Sequence, residues 1–233
     1  MEMFRRIFFA AVLAGVVAGL ALAAIQQWRV VPLILQAETY EISDAHAADH
    51  ARDALAAAPH IHEVAKEDLV SRAALTVLAT VLAGLGFALI MGAASLLANI
   101  EISSNNGLLW GLAGFLTFSL MPAIGLPPEP PGMVAADLIS RQIWWLGTVL
   151  ATAAAIFTVV KWRIPAGIAI GIALILIPHI FGAPLPSDQA SNVPAHLTLV
   201  YVANALFAAM AFWLILGFAF GWLNQHLFKR GMS

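Results

Sequence analysis

The residues best suited to chemistry lie in one polar segment, residues 36–68, of an otherwise apolar chain. The segment holds four histidines, eight carboxylates and two basic residues. Imidazole nitrogens and carboxylate oxygens are ligands that borderline and hard divalent metals accept at neutral pH. The chain has no cysteine, which excludes disulfides, thiolate metal sites and a cysteine nucleophile. The sequence therefore predicts capture of a divalent cation by nitrogen and oxygen ligands.

The first candidate metal site is a two-nitrogen, two-oxygen set of His46, Asp49, His50 and Asp53. On a helix, the four-residue spacing places both histidines on one face, and the two aspartates adjoin them at the same spacing. The surrounding alanines favour a helix that Pro59 ends. A polar loop whose histidines simply face water is the alternative.

The second candidate pair, His60 and His62, follows Pro59. With one residue between them, both imidazoles share a side only where the chain is extended. His62-Glu63 also begins the zinc-protease pattern, but Lys66 occupies the position of the required second histidine. A zinc-protease function is therefore excluded.

Composition indicates that a membrane protein must position these ligands. The mean hydropathy is +0.89 and 10% of the residues are charged, whereas soluble proteins carry about 25% charged residues. A bilayer crossing needs about 20 apolar residues. Apolar stretches predict six helices, at about residues 7–28, 69–98, 107–124, 138–160, 164–181 and 197–223.

We therefore predict an all-α polytopic bundle that forms a single membrane domain over residues 1–233, with residues 36–68 as an outer loop. The third and fifth stretches are short and end in proline, so five crossings and one re-entrant segment are an alternative. The apolar run after Arg5 and Arg6 resembles a signal peptide. It is longer than the roughly 7–15 residues of such a region, which predicts a retained first span.

Charge predicts the orientation of the bundle. One set of helix ends carries six basic residues against two acidic ones, and the other set carries eleven acidic residues against five basic ones. The positive-inside rule then predicts cytoplasmic N- and C-termini and periplasmic loop histidines. The residues of the inner set are Arg5, Arg6, Lys161, Arg163, Lys229 and Arg230, with Glu2 and Glu101.

A glycine and proline pattern recurs in the three helices that run outward. Each has two glycines four residues apart and a proline near its outer end. Such pairs let helix backbones approach closely, and the recurrence predicts three hairpins of one kind, unless it only reflects membrane-helix composition. The glycines are Gly15 and Gly19, Gly107 and Gly111, and Gly167 and Gly171; the prolines are Pro32, Pro122 and Pro178.

Two further residues are candidate cation ligands near the outer ends of the spans. His179 follows a proline in the fifth stretch, where an ionisable group is either functional or bonded to a neighbouring carbonyl. Glu129 lies in a proline-rich loop that is either a ligand post or a rigid connector. Asp137 is predicted to begin the next helix and to pair with Arg141.

The spans lack the usual means of supplying energy or performing catalysis. They contain no carboxylate near a bilayer centre and no glycine-rich phosphate loop, and the chain offers no nucleophile and base pair. The sequence therefore predicts no enzyme activity and no use of nucleotide. Energy for any transport would come from a gradient or a partner.

Several segments resemble the CbtA family of predicted cobalt transporter subunits. They read LPPEPPGM at residues 126–133, RQIWW at 141–145 and PHIFGAP at 178–184, after an N-terminal Phe4-Arg5-Arg6. The similarity extends over nearly the whole chain. It implies cobalt uptake across the bacterial inner (cytoplasmic) membrane for cobalamin synthesis, with a small single-span companion subunit, CbtB.

The resemblance also orders the candidates. It matches His60, His62 and Arg72 to a histidine-rich outer segment of the family. It also makes Glu129 and His179 the strongest candidate cation ligands. Cobalt is then a substrate and no cofactor is permanently bound; the bilayer and CbtB are the partners, and nucleic acid is not. The alternative function is a non-transporting membrane scaffold or a metal-sensing subunit of a larger complex.

Overall fold

A computed structural model describes residues 2–50, 66–186 and 191–226, with the side chains of residues 4–40, 70–186 and 191–226. The described chain is helices and loops, without strands, which confirms the predicted all-α bundle. The helices are α1 (Glu2–Ile25), α2 (Val31–His50), α3 (Lys66–Ala98), α4 (Gly107–Phe115), α5 (Met121–Gly125), α6 (Leu138–Trp162), α7 (Pro165–Phe181) and α8 (Ala195–His226).

Two π-helical segments, Gln26–Val30 and Leu116–Leu120, join α1 to α2 and α4 to α5 without a break. The residue after each segment donates its N–H to the carbonyl five residues back. Pro32 and Pro122 come next in each case. Proline has no N–H and crowds the carbonyl four residues back, so a wider turn accommodates it within a helix. The two prolines therefore share one local structure.

In the described part of the chain, five helical stretches are long and apolar enough to cross a membrane, whereas α7 has 17 residues. However, α7 runs antiparallel to α6. The contacts of Trp144, near the start of α6, with Pro178 and His179, near the end of α7, show this direction. Whether α7 is a sixth crossing or a re-entrant segment stays a prediction. The five stretches are Phe4–Tyr40, Val70–Ala98, Gly107–Gly125, Leu138–Trp162 and Ala195–His226.

The helix pairs differ from three consecutive hairpins. Helix α1 packs on α3 and α8, α4 packs on α8, and α7 packs on α6. The α6–α7 hairpin joins the other helices mainly where α6 meets α5 and the π-helical segment before it. The α1–α3 pair therefore matches a predicted outer hairpin, and the second predicted hairpin is formed in part, where α5 and the π-helical segment before it meet α6. The most extensive packing of α4 and of α7, however, is on α8 and on α6, which differs from the predicted arrangement.

Glycines explain these pairings, since they allow backbones to touch. A Cβ added at Gly15 would lie 2.7 Å from the carbonyl oxygen of Gly84 in α3, and one added at Gly171 would lie 2.7 Å from Val159 Cγ2 in α6. A Cβ at Gly107 would meet the carbonyl oxygen of Gly217 in α8. The predicted role of the glycine pairs in close packing is confirmed. The partner of α4 is α8, whose own glycine, Gly217, lies at the contact.

An aromatic cluster fills the space between α3, the second π-helical segment and α8. The Trp213 ring lies 5.0 Å from Phe87 and 5.4 Å from Phe118, measured between centroids. Below it, Leu216 and Phe220 of α8 are fully buried. The core therefore lies in the α1, α3, α4 and α8 group, while α7 exposes most of its apolar surface.

The bundle has two ends, which we name by a residue at each. The Glu101 end is where α1 begins, α3, α6 and α8 end, and the α3–α4 connection carries Glu101. The Trp144 end is where α5 and α7 end and α6 and α8 begin. The lysines and arginines of the predicted inner set that the structure describes lie at the Glu101 end, as the charge pattern predicted.

Candidate functional site

The predicted outer loop begins as a helix. Helix α2 continues to His50, so His46 and His50 lie on a helical backbone, as their alanine-rich surroundings predicted. The side chains of residues 41–69 lie outside the described part of the structure, as do Asp53, His60 and His62 altogether. Metal binding by these six residues, including Asp49, therefore stays a prediction.

An ion pair fixes the described part of α2 to α3. Arg72 donates from Nη2 to Glu38 Oε1 at 2.6 Å and from Nη1 to Oε2 at 3.4 Å. The neighbouring residue in α2, Ala37, packs against Val193 and Leu197, which lie around the start of α8. The first residues of the polar segment thus lie where α2, α3 and the start of α8 are in contact.

At the Trp144 end, Glu129 is paired rather than free. Its Oε2 lies 3.3 Å from Arg141 Nη2 in the first turn of α6. Asp137 is the N-cap of α6, as predicted, and its carboxylate accepts hydrogen bonds of 2.9 Å from the backbone N–H and the hydroxyl of Ser140. Arg141 therefore pairs with Glu129. The predicted pairing of Arg141 with Asp137 was wrong. The Ser140 backbone N–H is the main cause that lowers the pKa of Asp137.

His179 joins α7 to α5 through carbonyl oxygens. Its Nδ1 lies 2.8 Å from the oxygen of Ile175, one turn earlier, and its Nε2 lies 3.1 Å from the oxygen of Met121. A neutral imidazole has one N–H and can donate to only one of them. The carbonyl-bonded alternative thus describes the observed geometry, and a cation would have to displace one of these contacts.

Trp144 completes this junction. Its indole Nε1 donates to the carbonyl oxygen of Pro178 at 3.1 Å, and its ring meets the His179 ring edge-on at 5.8 Å. A Cβ at Gly125 would touch the Trp144 ring and lie 3.0 Å from Ala183 Cβ. The two similar proline segments, at the ends of α5 and α7, therefore meet around one tryptophan.

Beside this junction lies an open groove of 670 Å³ between α5, α6, α8 and the second π-helical segment. Most of its lining is apolar. Its polar groups are Ser119, Arg141 and Gln142, and Ser119 Oγ accepts a hydrogen bond of 3.2 Å from Trp213 Nε1. Because π-helical turns often mark functional positions, this groove is a candidate binding surface at the Trp144 end.

The Glu101 end has a polar network that the sequence did not predict. Arg6 donates to Glu101 Oε1 at 2.7 Å. Asn224 donates to the carbonyl oxygen of Ile102 at 2.7 Å and to Glu101 Oε1 at 3.4 Å. Lys161 donates to the carbonyl oxygen of Ala98 at 2.6 Å. The only sequence signal for this network is that Glu101 is an isolated acid among inner basic residues.

Within the described residues, no group of three or more histidine and acidic side chains is close enough to hold a metal ion. Among the predicted ligands with described side chains, Glu129 and His179 lie at the same end of the bundle. Each already has protein partners. The structure therefore shows two separate positions there and not an assembled site.

A comparison with family models decides the classification. The model of the CbtA family, a probable cobalt transporter subunit, matches residues 4–225. This chain belongs to the CbtA family. No curated protein and no solved structure matches it. Membership in the CbtA family confirms the resemblance found in the sequence and makes the chain a probable cobalt transporter subunit of a multi-pass membrane type.

Proposed function

We propose that this chain is the permease subunit for uptake of cobalt, as a divalent cation, across the bacterial cytoplasmic membrane, in service of cobalamin synthesis. The family match over residues 4–225 carries this proposal. The five long apolar helices among the described residues, with the shorter α7, support this proposal. A transport role also makes cobalt a cargo, so no permanently bound cofactor and no catalytic step are needed.

We place the Glu101 end in the cytoplasm. Arg5, Arg6, Lys161 and Arg163 lie at this end, against the single described acidic side chain of Glu101. The positive-inside rule supports this orientation. The polar segment and its histidines then face the periplasm, where their carboxylates raise the local cation concentration.

The proposed route starts at the polar segment and passes the groove at the Trp144 end. His46, Asp49, His50, Asp53, His60 and His62 are the proposed collecting ligands. Glu129 is the proposed ligand at the rim, because its partner Arg141 also lines the groove. His179 is the proposed deeper ligand, available once it releases a carbonyl oxygen.

Selectivity for cobalt does not follow from these ligand types. Nitrogen and oxygen sites hold nickel and copper more tightly than cobalt. Geometry, supply or a partner must therefore set the preference. We propose the single-span subunit CbtB as that partner within the bilayer, which agrees with the family's description as a transporter subunit.

A non-transporting scaffold or metal-sensing subunit is the second candidate function. One observation favours it: across the described helices, no cluster of metal-binding side chains lies inside the bundle. In that case the polar segment would recruit a partner or report metal. The bundle would need no ion route.

Uptake of radiolabelled cobalt into proteoliposomes, with and without CbtB, tests the two functions. We expect uptake that His179→Ala reduces by about tenfold or more, since loss of one ligand removes a large part of a site's affinity. The matched control is His196→Ala, which removes an exposed histidine from the same end of the bundle. Absence of uptake in both preparations would leave the scaffold or sensor function.

The histidines of the polar segment are tested separately by replacing His46, His50, His60 and His62 together. If this variant keeps uptake at saturating cobalt but needs more cobalt for half-maximal uptake, the segment is a collector. Loss of uptake at every cobalt concentration would instead make the segment part of the route.

A further inference from the structure

The groove at the Trp144 end changes from polar to apolar with depth. Arg141 and Gln142 lie near the start of α6, at the end of the bundle. Deeper in the lining, Leu146 lies about one turn further along α6, and Ala209 lies about four turns into α8. Ser119 also lines the groove, and its hydroxyl oxygen accepts an indole hydrogen bond. The groove therefore has a charged mouth and a mainly apolar interior.

The two walls of the groove are helices that are long and apolar enough to cross a membrane, α6 and α8. These helices pack mainly on other partners, α6 on α7 and α8 on α1 and α4. Between two membrane spans, the surrounding medium is hydrocarbon, so the apolar walls favour an acyl chain over water. The 670 Å³ of the groove is within the size range of small-molecule sites.

The mouth of the groove carries one charge of each sign. The Arg141 and Glu129 side chains are 31% and 23% exposed, and their closest nitrogen and oxygen lie 3.3 Å apart. This distance is longer than the about 2.7–2.9 Å of a close charge-assisted hydrogen bond. A guanidinium has five N–H donors, so one carboxylate leaves donors for a second anion. Both charges are therefore open to a ligand that itself carries both signs.

We propose that the groove binds a zwitterionic phospholipid of the phosphatidylethanolamine type. One acyl chain lies between α6 and α8, the phosphate accepts hydrogen bonds from Arg141, and the ammonium group pairs with Glu129. The planar guanidinium suits phosphate because it can donate two parallel hydrogen bonds. The ammonium group then supplies the carboxylate with a second cationic partner. Lipid binding goes beyond the permease function and does not rest on it.

The proposed charge pairing predicts which headgroups the groove prefers. Phosphatidylglycerol has the same phosphate and acyl chains, but its headgroup has no ammonium group. It would contact Arg141 and leave Glu129 without a new partner. We therefore expect phosphatidylethanolamine to bind about tenfold more tightly, which is the usual effect of one hydrogen bond to a charged group.

Photo-crosslinking tests the site in the full chain, purified in detergent. The probe is phosphatidylethanolamine with a diazirine in one acyl chain, and mass spectrometry of peptides locates the crosslinks. We expect crosslinks on the groove walls in α6 and α8, which unlabelled phosphatidylethanolamine suppresses at about tenfold lower concentration than phosphatidylglycerol does. Equal suppression by the two lipids would overturn the proposal. So would a groove without crosslinks, which would point to another occupant such as a transmembrane helix.

The position of the acyl chain has a matched pair of variants on α8. Ala205 lines the groove, whereas Ala203 is an exposed residue outside the lining. Ala205→Phe places a ring in the space of the acyl chain, so we expect it to reduce crosslinking of the groove walls by about tenfold or more. Ala203→Phe adds the same ring on the same helix and should leave crosslinking unchanged. Equal effects of the two variants would refute the acyl-chain position.

Two charge variants separate the headgroup contacts. Glu129→Gln should make the two unlabelled lipids equally effective, because it removes the partner of the ammonium group. Arg141→Gln should weaken both lipids, because both have the phosphate, whereas the control Arg29→Gln, at an exposed arginine beside Trp28, should weaken neither. A full headgroup preference in Glu129→Gln would refute the ammonium contact. If a variant fails to fold, the competition between lipids in the unsubstituted chain still decides.

Discussion

The two ends of the bundle are held by different kinds of contact. At the Glu101 end, side chains of α1, α6 and α8 reach the α3–α4 connection through charged and amide groups. At the Trp144 end, an indole and an imidazole contact backbone carbonyls next to prolines, beside an open groove. The α3–α4 connection is thus held by polar side chains from three helices, whereas the junction of α5, α6 and α7 is held by two rings.

This difference indicates where the bundle can change shape. At the Glu101 end, Gly107 of α4 and Gly217 of α8 meet through backbone atoms, which cannot rotate away as a side chain can. At the Trp144 end, the contact of Gly125 is with the Trp144 side chain, which can move. We expect the Trp144 end to open more readily, as the proposed access route requires.

The largest expected effect comes from Gly217→Ala. A Cβ there would lie 2.6 Å from Gly111 N and would meet the Gly107 oxygen, so α4 must separate from α8. We expect a loss of about 3 kcal/mol or more of unfolding free energy, at the upper range of overpacking. Denaturation in detergent measures it. The control Gly86→Ala meets no atom within 4 Å and should leave stability unchanged or raised.

Gly125→Ala sharpens this comparison at the other end. Its Cβ would strike the Trp144 ring and not backbone, so we expect a smaller loss than for Gly217→Ala. A loss as large as that of Gly217→Ala would contradict the idea that the Trp144 end adapts.

An intermediate effect is expected from Trp144→Phe. This change removes the 3.1 Å hydrogen bond to the Pro178 oxygen and keeps most of the ring packing, at a loss of about 1 kcal/mol. Amide hydrogen exchange near the end of α7 should become faster, while exchange in the α3–α4 connection should stay the same. Trp145→Phe is the control. If amide exchange near the end of α7 became equally faster in Trp145→Phe, loss of the Trp144 hydrogen bond would be excluded as the cause.

The smallest expected effect concerns the pH dependence of the α6 N-cap. Hydrogen bonds from Ser140 lower the pKa of Asp137, so its charge stabilises the folded state above the unfolded pKa. That contribution is lost as the pH falls through the lowered folded value. The melting temperature of the natural chain should therefore exceed that of Asp137→Ala at neutral pH, and the part of this difference that is due to charge should disappear in acid. A pH-independent difference would refute this account.

Local features made much of the fold predictable. Apolar stretches, prolines and the charge of the chain ends are properties of neighbouring residues, so the helices, the cap at Asp137 and the segregation of basic residues could be predicted. The helix partners could not, because lipid-facing surfaces are alike and several glycine stripes could have matched. The α4–α8 pair depended on Gly217, whose role becomes visible only opposite Gly107.

The sequence by itself determined a polytopic helix bundle of the CbtA family with an asymmetric charge distribution. Hydropathy and family motifs depend on residues that follow one another in the chain, so no tertiary contact is needed to detect them. Only the tertiary structure decided that Arg141 pairs with Glu129, that His179 contacts carbonyl oxygens of two helices, and that Arg6, Glu101 and Asn224 form one network. Such contacts join residues far apart in the chain, and their partners are chosen by helix packing and not by sequence spacing.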